Sequence, residues 1–306
     1  MKIKGFTMLN TCCYCSKTFL KDQEPWYGLH QDCFRKWFAI NEICKFGDVA
    51  PRSLSLAPEE KNISFFSGAY RKYSAKLEDQ NYILKVQQKE YPELPATEFL
   101  CNQIFESLHI TIPDYYLVLF PEHELCFVTK NFMSGLTSCS LVHIYHILQK
   151  GMEHNCENLM KVIIEHTKRK TEIEKFICLT LADSLIGNHD RHGRNLAFIQ
   201  SPQGMRLAPF YDNPSSIALE EKSMLKADLQ PRGSIFTKES DKPTIKDYVK
   251  EWKRLGYGEI VDHFRKKISL ENIEILIKKS YLGDERKQAL LCLIKKRYEE
   301  LCVNIK

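Results

Sequence analysis

Apolar and polar positions alternate along residues 63–86, which is the spacing typical of β-strands. Ser67-Gly68 interrupts this run, and the interruption predicts a hairpin whose backbone approaches closely at the glycine. Residues 82–86 would be the returning strand. Further along, the periodicity predicts a helix from the proline-rich stretch 91–95 up to His109, followed by strands at 115–120 and 125–129.

From about residue 133 the pattern is helical for most of the remaining chain. The predicted helices lie at 138–149, 156–169, 171–186, 243–255 and 285–301, and the predicted short strands at 195–199 and 206–210. In the helix before residue 187, one mostly apolar stripe predicts burial along its length. The chain of 306 residues is long enough for two lobes around one cleft.

We therefore expect an α+β fold with two lobes. The domain organisation predicted from the sequence is a cysteine-rich module at 1–45, a linker at 46–62, a small β-rich N-lobe at 63–132 and a mainly α-helical C-lobe at 133–306.

The composition is that of a globular protein, with 43% hydrophobic and 27% charged residues. The net charge of +5 is spread along the chain and gives no argument for direct nucleic-acid binding. No apolar run approaches the roughly 18 residues of a membrane span. We therefore predict a cytoplasmic protein, although export to a host cell would leave no mark recognisable in the sequence.

The polar segment 187–195 places Asp190 five residues before Asn195, between two apolar runs. Asp212 follows at the end of the next apolar run. In protein kinases this spacing provides a carboxylate that accepts the substrate hydroxyl proton, and an asparagine and an aspartate that hold magnesium. His192 is expected to brace the loop or to contact phosphate. The alternative interpretation is an ordinary Asn/Asp/Gly-rich turn, which a lone aspartate would favour.

Lys85 lies near the end of a predicted strand, where a lysine is costly unless its ammonium meets an anion. Glu98 on the following helix is positioned to orient it, as the strand lysine and helix glutamate of kinases do. With Ser67-Gly68, Lys72 would provide a phosphate-binding loop, although only one glycine is present. A lysine extending from an edge strand to solvent and an ordinary hairpin remain the alternatives.

Thr129, Lys130 and Phe132 lie where the predicted strands give way to helices. Ligand sites commonly lie between lobes, so this position predicts a nucleotide-binding hinge.

The N-terminal module contains Cys12-x2-Cys15 and, after fourteen residues, His30-x2-Cys33. Two ligand pairs separated by a loop are typical of small tetrahedral zinc sites. Cys13 and Cys44 are possible replacements for one of these ligands. The alternative is a set of free thiols packed among the aromatic residues of the module.

These motifs resemble the HipA-like serine/threonine kinases of bacterial toxin–antitoxin systems. The resemblance rests on Ser67-Gly68-Ala69 with Lys72, Tyr82-Ile83-Leu84-Lys85, 91–95 with Glu98, 187–195, and Tyr211-Asp212. It implies a fold like that of eukaryotic protein kinases and phosphatidylinositol kinases, with ATP and magnesium as cofactors. It also implies Asp190 as the catalytic residue, Asn195 and Asp212 as metal ligands, and Lys85 and Lys72 at the phosphates.

The family further implies autophosphorylation of a serine in the glycine-containing loop and aminoacyl-tRNA synthetases as a class of protein substrate. Phe65 occupies the position where family members often have that serine, so Ser67 and Ser64 are the candidates here. Arg194 replaces the usual lysine. The short region before the loop resembles the compact HipT-like branch, which implies a small HipS-like protein and a HipB-like helix-turn-helix antitoxin as partners.

Two other functions fit parts of the sequence. The string Asp190-Arg191-His192-x2-Asn195 also resembles the catalytic loop of phosphatidylinositol-type lipid kinases. A pseudokinase that only binds nucleotide or protein partners is the non-enzymatic alternative.

Overall fold

The first lobe is built on a five-stranded antiparallel sheet with strand order β1-β2-β3-β5-β4. The computed structural model describes residues 10–20, 22–51, 71–120, 124–148 and 151–303. The strands are β1 Gly47–Pro51, β2 Arg71–Leu77, β3 Gln80–Val86, β4 Tyr115–Phe120 and β5 Glu124–Lys130.

Successive side chains on β3 point to opposite faces of the sheet and separate two apolar clusters. Tyr82, Leu84 and Val86 pack with the cysteine-rich module and its helix α1 (Gln31–Phe38). The opposite face packs against helix α2, Leu94–Ser107, which begins with a proline in its first turn. Lys85 therefore points toward α2.

The second lobe is mainly helical, and its core joins that of α2 in one cluster. Its helices are α3 Cys156–Thr167, α4 Lys170–Ile186, α5 Ile245–Arg254, α6 Gly258–Lys267, α7 Leu270–Lys279 and α8 Asp284–Cys302. A small antiparallel sheet is formed by β6 Ser140–His143, β7 Ala197–Ser201 and β8 Gly204–Leu207. No helix within these described segments is long and apolar enough to span a membrane.

Helix α4 is buried along most of its length and carries the polar loop at its C-terminal end. Gly187 ends the helix in the left-handed conformation, with φ of 76°. An added Cβ at this position would lie 2.6 Å from Pro231 and 2.7 Å from Leu293. The residue is therefore constrained both by its backbone conformation and by its neighbours, and the loop that follows starts from a fixed point.

Three expectations about secondary structure change. The predicted helix at 138–149 is wrong, because Ser140–His143 pairs with β7 and a single 3-10 turn, Ile144–His146, follows it. The turn of the described hairpin lies between β2 and β3 at Glu78 and Asp79, whereas Ser67-Gly68 lies outside the described residues. In the predicted linker, Gly47–Pro51 forms the edge strand β1.

Candidate active site

Lys85 is buried, with 4% of its surface exposed, and lies between two carboxylates. Its Nζ donates to Glu98 Oε1 at 2.6 Å and also to Asp212 Oδ1. Burial alone would lower the pKa of Lys85, but the charges of Asp212 and Glu98 outweigh it, and the pKa is raised. The lysine is therefore cationic at neutral pH and joins a carboxylate of the first lobe to one of the second.

Asp212 has an unusual backbone conformation for a residue with a side chain, with φ of 54°. Aspartate tolerates this left-handed region better than most residues, and such strain is concentrated at functional sites. Lys72, the cross-strand neighbour of Lys85, lies 3.9 Å from Asp212 Oδ2. Burial acts to raise the pKa of Asp212, but Lys72 and Lys85 hold it well below its ordinary value, so the carboxylate is ionised.

The loop after α4 is closed by hydrogen bonds between its own members. Asn188 accepts from the backbone N–H of Asp190 at 3.0 Å, and the side-chain amide of Asn195 donates to the Asp190 carbonyl at 2.9 Å. Both Asp190 and Asn195 are 6% exposed. The aspartate and asparagine identified from their spacing are thus held in one compact turn.

Arg191 connects this loop to the segment that carries Asp212. Its Nη1 donates to the carbonyls of Asn195 at 3.0 Å and Tyr211 at 2.7 Å. Its Nε and Nη2 donate to Asp183 of α4 at 2.8 and 3.0 Å, and Nη2 also donates to Asn213 Oδ1 at 2.6 Å. This buried, fork-shaped set of donors fixes both backbones relative to α4.

His192 contributes to the structure of the loop. Its Nδ1 accepts from the backbone N–H of Arg194 at 3.1 Å, and its Nε2 lies 3.8 Å from Asp190 Oδ1. Burial lowers the pKa of His192, which favours the neutral imidazole that this acceptor role requires. His192 is thus hydrogen-bonded within the loop, and its expected role, bracing the loop or contacting phosphate, stays a prediction.

Of the expected hinge residues, Phe132 contacts the residue next to Asp212. Thr129 and Lys130 end β5, and the Lys130 backbone N–H donates to the Asp114 carbonyl at 2.9 Å. The Phe132 ring stacks on that of Tyr211, with centroids 5.9 Å apart. The phosphate-loop candidates Ser67, Gly68 and Ala69, together with Ser64, lie outside the described residues.

The donors available beside Lys85 suit a hard divalent cation. Asp212 presents a carboxylate, and Asn195 presents an amide oxygen because its nitrogen is already engaged with Asp190. Magnesium prefers such oxygen ligands and usually keeps several waters. The residues present therefore fit a magnesium-bound phosphate group.

The four predicted zinc ligands lie together in the N-terminal module. The ligand atoms of Cys12, Cys15, His30 and Cys33 are all within 4.8 Å of one another. Cys15 Sγ and Cys33 Sγ lie 3.5 and 3.7 Å from His30 Nδ1. Tetrahedral zinc with its usual bond lengths separates sulfur and nitrogen ligands by about 3.6 Å, so this set has the right size. Cys13 and Cys44 are not members of the group.

Several residues that organise the site escaped the sequence interpretation. The sequence identifies Arg191 only as part of the string from Asp190 to Asn195, and it does not single out Asp183 in the C-terminal, mostly apolar half of α4. Asn213 donates to Asn102 of α2 at 2.9 Å and so extends the polar network to the other lobe. The sequence signal that could have revealed this network is Asp183, because a carboxylate in a buried part of a helix requires a cationic partner.

Comparison with known proteins gives a consistent picture. Residues 64–270, more than half of the chain, match the family model of the HipA-like C-terminal domain. A curated Haemophilus influenzae protein named "Putative kinase" is 29% identical over 151 residues, which cover 43% of this chain and 44% of that protein. The match thus spans less than half of the relative's length.

Two solved structures have similar folds. The proinflammatory kinase CtkA of Helicobacter pylori gives a TM-score of 0.63 at 16% identity, over 79% of this chain and 92% of that chain. HipA of Shewanella oneidensis MR-1, solved with HipB and operator DNA, gives 0.56 at 14% identity, over 82% of this chain and 67% of that chain. The predicted bilobal kinase fold is confirmed.

Proposed function

The chain belongs to the HipA-like C-terminal domain family, and on that premise we propose that it is an ATP- and magnesium-dependent serine/threonine protein kinase. One observation carries the proposal: Lys85 lies buried between Glu98 and Asp212, beside a closed loop that holds Asp190 and Asn195. Kinases use this combination of lysine, helix glutamate and metal-binding aspartate to hold nucleotide phosphates.

Each residue has a distinct proposed role. Asp190 would accept the proton of the attacking hydroxyl, while Asn195 and Asp212 would hold magnesium. Lys85, oriented by Glu98, and Lys72 would bind phosphate oxygens, together with Ser67, Gly68 and Ala69. Thr129, Lys130 and Phe132 would line the nucleotide's base, and His192 would keep the loop in shape. When bound, magnesium supplies charge neutralisation at the transferred phosphoryl group.

The proposed biological role is that of a HipA/HipT-like toxin acting in the cytoplasm on a protein such as an aminoacyl-tRNA synthetase. A HipS-like small protein and a HipB-like antitoxin are the proposed partners, and genes for both beside this one would support the assignment. HipA of the Shewanella structure is found with HipB and DNA. Autophosphorylation is proposed at Ser67 or Ser64, and mass spectrometry after incubation with ATP tests it; phosphate found only elsewhere contradicts it.

We also propose structural zinc at Cys12, Cys15, His30 and Cys33. Four protein ligands complete a tetrahedral shell and leave no position open for a substrate, which is the arrangement of structural zinc sites. Metal analysis of the purified protein should find about one zinc per chain.

The kinase proposal is tested by incubating the protein with magnesium and ATP labelled at its γ-phosphate, with protein and lipid substrates offered in parallel. We expect label on protein, and a loss of about 100-fold or more in Asp190→Ala and Asp212→Ala. Asp228→Ala is the matched control, because this exposed aspartate pairs with Gln230 and Lys296 at the surface. Retained transfer in either active-site variant contradicts the assignment. Label on lipid would favour the lipid kinase, and ATP binding without label the pseudokinase.

A further inference from the structure

We propose that the zinc module acts as a brace on helix α2, so that metal bound at Cys12, Cys15, His30 and Cys33 keeps Glu98 in place against Lys85. The effect on ATP binding rests on the proposed kinase function, whereas the positioning of α2 by the module does not. It gives the metal a role in the active site without contact with any substrate.

The metal centre controls the position of helix α1. His30 is the residue that precedes the helix, and its carbonyl accepts the first helical hydrogen bond, from Phe34 at 2.9 Å. Cys33 lies in the first turn. The other two ligands come from a separate turn, in which Cys12 N donates to the Lys17 carbonyl at 2.9 Å. A metal bound to all four would therefore lock α1 to that turn at its N-terminal end.

Helix α1 transmits this constraint to α2 through an aromatic contact. Trp37 follows Cys33 by four residues, so both lie on the same side of α1. Its ring meets that of Phe99 on α2 edge-on, with centroids 6.1 Å apart, and that of Tyr116 at 5.4 Å. Phe99 immediately follows Glu98. Neighbouring residues on a helix point about 100° apart, so α2 presents Phe99 to the module and Glu98 to Lys85.

The module is docked firmly enough to bear on α2. The backbone N–H of Leu119 on β4 donates to the Tyr27 carbonyl at 2.9 Å. Gly28, with φ of 74°, lies so close to Leu119 that an added Cβ would be 2.9 Å from its Cγ. On the helical side, Tyr281, just after α7, packs against the apolar cluster that contains Cys12 and Cys13 of the module. The module thus contacts both lobes, and α2 lies between a fixed module and the active site.

The buried position of Glu98 makes it sensitive to such a brace. Glu98 is 1% exposed, and one of its carboxylate oxygens, Oε2, has no hydrogen-bond partner within the described part of the chain. Its fixed contact is the 2.6 Å bond from Oε1 to Lys85. A displacement of α2 would loosen this bond and leave a buried charge poorly compensated. The arrangement of Lys85 therefore depends on where α2 is held.

The test removes the contact and keeps the metal. Trp37→Ala should retain one zinc per chain by metal analysis. It should also lose about 5-fold or more in affinity for ATP measured by equilibrium binding, and exchange the amide hydrogens of α2 faster. Trp26→Ala is the matched control, because it removes a tryptophan of the same module whose ring packs on Tyr27 and whose indole N–H donates to the Cys44 carbonyl. This control should keep wild-type ATP affinity and wild-type exchange in α2.

A reciprocal variant covers the case in which Trp37→Ala does not fold. Phe99→Leu alters the same contact from the α2 side and should produce the same changes while the module is untouched. Cys33→Ser, compared with Cys44→Ser outside the metal group, should lose zinc and reproduce them as well. The brace would be overturned if a folded, zinc-loaded Trp37→Ala or Phe99→Leu protein showed the same α2 exchange and ATP affinity as the wild type. It would also be overturned if metal analysis found no zinc in the purified wild-type protein. If zinc-loaded wild-type protein fails to bind ATP or transfer phosphate, the kinase proposal fails, and exchange in α2 alone then decides the brace.

Discussion

Asn213 donates its side-chain amide to Asn102 Oδ1 at 2.9 Å, although the two residues are 111 positions apart in the sequence. Asn213 also accepts from Arg191 at 2.6 Å, and Asn102 donates to the Glu98 carbonyl at 2.9 Å. All of these side chains are buried. A continuous polar chain therefore runs from the helix that carries Glu98 to the loop that carries the proposed catalytic aspartate.

Replacing Asn213 by alanine should damage both stability and activity. The change removes one acceptor of Arg191 Nη2, which keeps its bond to Asp183, and it leaves Asn102 Oδ1 without its buried donor. An unsatisfied buried polar group should lower the free energy of unfolding by about 1–3 kcal/mol in urea denaturation. The rate of phosphoryl transfer should also fall, even at temperatures where the variant is still folded. Asn272→Ala, on the exposed surface of α7, is the matched control and should change neither quantity measurably. Equal effects of the two substitutions would contradict a special role for the chain.

Lys85→Met should abolish nucleotide-dependent activity. The methionine fills a similar volume but removes the cation that Glu98 and Asp212 share, so we expect a loss of at least about 100-fold in kcat/KM for ATP. Lys76→Met on the adjacent strand is the matched control, because Lys76 forms an exposed pair with Asp48 at 3.0 Å. Steady-state kinetics of both variants, with thermal unfolding to verify folding, is the measurement. An active Lys85→Met enzyme would show that this lysine does not bind phosphate.

Two glycine substitutions separate backbone strain from steric overlap. Gly256 has φ of 88° and open space where a Cβ would be. Gly256→Ala should therefore lower the free energy of unfolding by about 1–2 kcal/mol, the cost of holding alanine in the left-handed conformation. Gly187→Ala adds overlap with Pro231 and Leu293 and should cost about 1–3 kcal/mol more. Urea unfolding of the two variants gives the difference directly. Costs of the same size would mean that the structure around Gly187 adjusts freely.

The stability of the protein should decrease in mild acid because of His154. Burial lowers the pKa of His154 to about 4, so the unfolded chain takes up the proton first, and stability is lost as the pH falls from about 6.5 toward 4. His154→Gln removes this titration and should flatten the pH dependence. Unfolding free energies of wild type and variant at pH 7.5 and pH 5 are the measurement. Identical slopes in the two proteins would show that His154 does not carry the effect.

The features of the fold and the site that the sequence predicted are those that depend on a local pattern of residues. The buried stripe of α4, the spacing from Asp190 to Asn195 and the two zinc-ligand pairs are all set within short stretches of chain. The prediction failed at residues 138–149, where pairing with β7, nearly sixty residues later, overrides the local helical periodicity. The sequence also did not predict the turn between β2 and β3. Glu78 adopts the left-handed region there, with φ of 49°, and the turn contains no glycine that would have indicated it.

The role of Arg191 could not be predicted from composition or spacing. Its five donors are divided between a carboxylate, an amide and two backbone carbonyls that come from three different segments. Backbone carbonyls have no signature in the sequence, because every residue carries one. Only the folded arrangement reveals that this residue, beside the proposed catalytic aspartate, holds the loop and the segment of Asp212 together.

The charges around Lys85 have one further consequence. Lys85 and Lys72 carry two positive charges, and Glu98 and Asp212 carry two negative charges, so the group as a whole is neutral. A bare cation would meet the two ammonium groups, and a bare polyphosphate would meet the two carboxylates. For a ligand that brings both signs together, Asp212 would hold the metal, and Lys85 and Lys72 would hold the phosphate oxygens. Such a site would discriminate between ligands by charge pattern rather than by net charge.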